Sequence, residues 1–118
     1  MMTSGEKLPD TSVDHKKEAE YTRKLKELVL NICRDFDCRI FLFGSRITGP
    51  LKRSSDFDIG IEGLKERDFR VVKERIEEMA EKENIPHEVD VVNFDTAEDP
   101  VKSLALKAIE VWKRNSPI

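Results

Sequence analysis

The segment Asp56-Phe57-Asp58-Ile59-Gly60-Ile61 limits what this chain can fold into more than any other. Polar and apolar residues alternate there with a period of two, the pattern of a β-strand with one face in a core. The same alternation sends the carboxylates of Asp56 and Asp58 to one face, with Cα atoms about 7 Å apart. At about 5 Å between charges and an effective dielectric near 20, two carboxylates repel by about 3 kcal/mol. A strand gains nothing from such a pair unless a cation sits between them. Asp90 adds a third acid. It interrupts the strand-like run Val89-Asp90-Val91-Val92, and on a neighbouring strand it would face the same cleft. Three acids that offer only oxygen suit magnesium, which takes carboxylates together with substrate phosphates. The plain alternative for any Asp-x-Asp is a solvated strand edge or turn.

The rest of the pattern supplies the other elements. Thr11 to Asp14 reads as a capping box, and Leu25, Leu28, Val29, Ile32 and Phe36 recur at helical spacing, so a first helix runs to about Arg34. Ile40-Phe41-Leu42-Phe43 is a short buried strand ended by Gly44, with a short helix from Ser45 that breaks near Gly49-Pro50. From Glu66 the spacing of Phe69, Val72, Ile76 and Met79 predicts a second long helix, ending by Asn84 and Pro86. Val89 to Phe94 is the third strand. Asp99-Pro100 reads as a cap with proline in the first turn, and Val101, Leu104, Ala105, Ala108 and Trp112 as the stripe of a last helix. The order α-β-(α)-β-α-β-α implies an α/β (α+β) fold, a small mixed β-sheet covered by helices. The 118 residues suffice for one core. Residues 1–12 are expected to be a flexible tail and residues 13–118 a single domain.

Charged residues make up 38% of the chain, yet the net charge is only −3 because acids and bases are interleaved. A protein that grips long nucleic acid usually carries a basic stripe, so no extended nucleic-acid binding is expected. No apolar run approaches the roughly 20 residues of a membrane helix, and the first ten residues lack the apolar stretch of a signal peptide. The expectation is a cytoplasmic protein, with Cys33 and Cys38 as reduced, buried thiols.

Gly44-Ser45 stands where a buried strand turns into a helix. Glycine lets backbone approach a ligand closely, the following amides point outward, and the Ser45 hydroxyl can donate to a phosphate oxygen. The plain alternative is a strand-to-helix turn with Ser45 as its cap. Arg46, Lys52 and Arg53 follow, as phosphate contacts or as solvated loop cations. His87, in a loop after Pro86, is expected to be structural or solvated.

Gly44-Ser45, ten intervening residues, then Asp56-Phe57-Asp58 resembles the signature of the DNA polymerase beta-type nucleotidyltransferase superfamily. The longer string Gly44-Ser45-Arg46, Gly49, Ser55-Asp56 and Asp58 is similar to its minimal (MNT) branch, whose members serve as antitoxins to HEPN-domain toxins. The resemblance implies a polymerase beta palm-like nucleotidyltransferase fold. It implies that Asp56, Asp58 and Asp90 hold two magnesium ions, with Asp90 on the one that activates the attacking hydroxyl. Gly44, Ser45, Arg46 and Ser55 would bind the nucleotide, Ser45 at the outer phosphates. The substrate would be ATP and the product a tyrosine of the toxin carrying AMP.

Larger members of the superfamily hold the acceptor with further domains, whereas only one helix is expected here after Asp95. The acceptor should then be held by a HEPN-type helical partner or by a second copy of this chain. Two competing readings are a non-catalytic module that neutralises its partner by docking, and a small-molecule transferase of the aminoglycoside type built as a homodimer. Trp112 is expected either to seal the core or to anchor a partner.

Overall fold

The computed structural model describes residues 14–48, 56–98 and 108–115. The expectations that rest on Thr11, Gly49, Pro50, Lys52, Arg53, Ser55 and residues 99–107 lie outside the described residues, as does the side chain of Ser45.

Helix α1 spans His15–Ile32. Its cap is Asp14 itself, whose side chain accepts from the Lys17 amide at 3.1 Å. Leu25 and Val29, one turn apart, bury fully on the inward face. The chain then forms strand β1, Arg39–Phe43, and the single turn α2, Ser45–Thr48. Strand β2 follows at Phe57–Glu62, helix α3 at Glu66–Lys82 and strand β3 at Val89–Asn93. Asn84, in the left-handed region at φ 57°, ends α3 while the Ile85 amide reaches back to the Ala80 carbonyl at 3.1 Å.

One expectation is corrected here. The end of the stripe assigned to a last helix is a fourth strand, β4, at Glu110–Lys113. It pairs antiparallel with β1, with Phe41 opposite Val111 and Leu42 opposite Glu110. Trp112 therefore lies on a strand, and it is a core residue with 7% exposure. The sealing role is the one the structure supports, and no docking role follows for it.

The sheet has the order β3-β2-β1-β4. β1 and β2 run antiparallel, while β2 and β3 run parallel with α3 as the crossover between them. Both long helices cover one face. There Ile40 and Leu42 of β1, Phe57, Ile59 and Ile61 of β2, and Val89 and Val91 of β3 pack with Leu25, Val29, Phe69, Val72 and Ile76.

The alternating residues of the same strands form the other face. It carries Asp58, Asp90 and a second cluster made of Phe41, Phe43 and Phe94, with Val92 and Ile109 against it. Phe94 meets Phe41 and Phe43 edge-on at 4.8 and 5.1 Å between ring centroids. Gly60, opposite Phe41 in the sheet, makes room for them: a Cβ there would stand 2.5 Å from the Phe41 ring and 2.9 Å from that of Phe94. Among the described residues no helix is long and apolar enough to cross a membrane.

That packing decides the sign of a substitution. Gly→Ala within a strand is ordinarily mildly stabilising, because it lowers the entropy of the unfolded chain. Here Gly60→Ala must displace two rings and should cost about 1–3 kcal/mol. Urea unfolding should show a lower midpoint with an unchanged slope, partly restored by adding Phe41→Leu.

Candidate active site

The register of the sheet assembles the acids. Asp58 lies directly beside Asp90 in the parallel pairing of β2 with β3, and beside Phe43 in the pairing with β1. Aligned residues on adjacent strands point to the same face, with backbones about 4.8 Å apart. Asp56 stands one residue ahead of β2 and is exposed. The start of β2 is fixed by the Phe57 amide, which donates to the Glu88 carbonyl at 2.9 Å and so ties it to the chain entering β3.

The three acids share one field. Burial, then the charges of Asp90 and Asp56, push the Asp58 carboxyl up to about 6. A half-buried carboxylate with two further acids beside it is the kind of group whose charge a divalent cation relieves. The oxygen-only donors fit magnesium. Among the described residues, no three carboxylate, imidazole or thiol groups stand close enough together to hold an ion as they are arranged.

Gly44 closes the cluster on the β1 side. Its φ is +89°, and a Cβ built on it would run into the Asp58 carboxylate. Glycine is required twice over there, by backbone conformation and by space. The turn continues with the Ile47 amide donating to the Gly44 carbonyl at 3.0 Å. Since α2 has only four residues, its dipole contributes little.

Arg46, expected at the nucleotide, has contacts with Glu18 and Phe57 on the helix-covered side of the sheet. The guanidinium ion-pairs with the Glu18 carboxylate at 2.7 Å, the side chain is only 4% exposed, and it lies 3.9 Å from the centroid of the Phe57 ring. His87 Nε2 reaches the same carboxylate at 2.9 Å and is also buried. Its ring meets Tyr21 and Phe57 edge-on, each at 5.9 Å. His87 is thus structural in its contacts. Burial pushes the Glu18 carboxyl up, but the hydrogen bonds and charges of Arg46 and His87 outweigh it and leave the group below the usual carboxylate range. The stability this gives is present at neutral pH and is lost as pH falls through that lowered value.

This buried cluster was not foreseen. Its signal is present in the sequence: counting back from Val29 and Leu25 by helical steps brings Tyr21 and then Glu18 onto the inward stripe of α1. An acid on such a stripe needs a buried cation. Cys33 and Cys38 are free and buried, as expected.

A mixed sheet with helices on one face, and a glycine turn against paired carboxylates on the other, defines a nucleotidyltransferase-type α/β domain. The chain belongs to the Polymerase beta, Nucleotidyltransferase family, which it matches over residues 27–116. It is similar to the probable protein adenylyltransferase MntA of Haemophilus influenzae, at 28% identity over 75 residues. That match spans 64% of this chain and 65% of the relative, just under two thirds of the relative's length. Among solved structures, it resembles a chain of the complex between the tri-AMPylated HEPN toxin of Shewanella oneidensis and its MNT antitoxin. The TM-score is 0.56 at 16% identity, over 79% of this chain and 72% of that one. A chain of a toxin–antitoxin complex with AMP-PNP gives a TM-score of 0.58 at 18% identity, over 77% and 74% of the two chains. At these identities the likeness is one of fold.

The raised Asp58 group makes a pH-dependent prediction. Between its ordinary value and about 6 the folded protein holds a proton that the unfolded chain has released, so stability falls as pH rises through that window. Asp58→Asn removes this cost. Its melting temperature should match that of the wild type near pH 4 and exceed it at pH 7.5, measured without added metal. An equal difference at both pH values would show that the Asp58 carboxyl is not raised in the folded protein.

Proposed function

We propose that this chain is a magnesium-dependent adenylyltransferase that moves AMP from ATP to a tyrosine hydroxyl of a HEPN-type helical toxin, and so acts as an antitoxin. The observation that carries the reading is the register pairing of Asp58 with Asp90 beside a Gly44 turn that only glycine can make. Two further observations support it: the family match, and the similarity to a protein described as an adenylyltransferase. ATP as donor agrees with a cytoplasmic site of action.

In the reaction the acceptor oxygen bonds to the α-phosphorus, the bond to pyrophosphate breaks, and the hydroxyl proton leaves to solvent. Asp56, Asp58 and Asp90 would hold two magnesium ions, which supply charge stabilisation for the attacking and leaving oxygens of such an in-line displacement. The chain's own part is to bind and to orient. The Gly44 turn would keep side chains away from the phosphates, with Ser45 at the outer phosphates and Ser55 among the nucleotide-binding residues. Asp90 lies on β3 at one edge of the described sheet and Asp58 on the inner strand β2. Asp90 would serve the metal that activates the acceptor hydroxyl, and Asp58 would help to hold both metals. The Phe41–Phe43–Phe94 cluster stiffens the floor beneath them. None of these residues is a nucleophile, and direct transfer needs none.

The test uses the helical protein that co-purifies with this chain, or one encoded beside it. Incubated with ATP and magnesium, it should gain the mass of one or more AMP units, localised to tyrosine by peptide mass spectrometry. Asp58→Asn should abolish the added mass. Asp90→Asn should abolish it too, while triphosphate binding persists. A partner inhibited equally by wild type and by Asp58→Asn, with no added mass on either, would establish neutralisation by docking alone.

A further inference from the structure

The three segments that carry the candidate site are each held from behind by one cluster. Arg46 follows the Gly44 turn by two residues, Phe57 sits between Asp56 and Asp58, and His87 precedes Asp90 by three residues. On the helix-covered side of the sheet these three side chains meet. Arg46 lies over the Phe57 ring, His87 meets the edge of the same ring, and both contact the carboxylate of Glu18 on α1.

We propose that Glu18 is a positioning residue for the catalytic face, setting the Gly44 turn through Arg46 and the entry to β3 through His87. The inference rests on the functional reading above and deepens it. The energetics favour this role over a purely stabilising one. Taking a carboxylate and a guanidinium out of water costs several kcal/mol per ion, and well-packed apolar replacements of similar volume are often as stable or more so. What an ion cluster supplies that apolar contact does not is direction. The Glu18 carboxylate meets Arg46 at 2.7 Å and His87 at 2.9 Å, so two chain segments 41 residues apart, Arg46 and His87, are referred to one fixed point.

The two arms predict separable defects. Arg46→Lys keeps a charge but loses the planar fork. It should weaken magnesium-dependent AMP-PNP binding at least fivefold by calorimetry, because the Gly44 turn is displaced. His87→Asn should leave that binding within twofold of wild type and lower adenylyl transfer at saturating ATP about tenfold, because Asp90 is displaced. Glu18→Gln should show both losses. Since removing one partner from a buried pair can unfold a protein, the triple variant Glu18→Met, Arg46→Leu, His87→Phe is the companion measurement. It should melt at or near the wild-type temperature and still show both losses. A merely structural cluster predicts a folded triple variant with wild-type binding and turnover, and that result would overturn the positioning role. Failure of the wild type itself to bind AMP-PNP with magnesium would overturn the functional reading instead, so the two failures are distinct.

Discussion

Everything in this domain depends on the parallel register between β2 and β3. It sets Asp58 and Asp90 side by side, where partial burial and then the neighbouring charge oppose the ionised state of Asp58. Parallel strands cannot be joined by a hairpin, so the register obliges the chain to cross over through α3. That crossover in turn places Phe69, Val72 and Ile76 against the inner face of the sheet. Apolar burial on the helix side thus holds together two strands whose acids, on the other side, repel. A hydrophobic contribution of about 1.5–3 kcal/mol for each fully buried large aliphatic or aromatic side chain is ample to offset such repulsion.

The two faces of the sheet divide the chemistry. One has paired acids, a glycine turn and an aromatic cluster. The other hides an acid with its cations behind the same strands. Phe57 is the hinge of this division, since its ring faces the Glu18 cluster while its neighbours in sequence face the cleft. Because successive residues of a strand point to opposite faces, a disturbance behind the sheet reaches the acids in a single residue step.

The parts legible in the sequence were those with an internal period. β2 showed itself by strict alternation, α1 and α3 by apolar stripes, and the chance that Asp90 joined Asp58 by its intrusion into an apolar run. β4 was misread because Ala108 and Trp112 are four apart and extend a helical stripe, while a four-residue edge strand is too short to show a period of its own. What makes it a strand is backbone pairing with β1, which no local pattern encodes. The pairing of Arg46 with an acid 28 residues upstream on another helix is signalled by nothing in its neighbours in sequence. The directing cluster is assembled from α1, α2 and the β3 lead-in, so only the folded chain reveals it.

Glu18 also bears on where this domain begins. The family match starts at residue 27, beyond the first turns of α1. A chain cut to the matched residues would keep every acid of the cleft, the glycine turn and the whole sheet. It would also leave Arg46 and His87 facing inward around a missing carboxylate, the buried guanidinium deprived of the counter-charge that Glu18 supplies. The stretch that family likeness leaves out includes the nine residues Glu18 to Lys26, and at its head stands the carboxylate that Arg46 and His87 share.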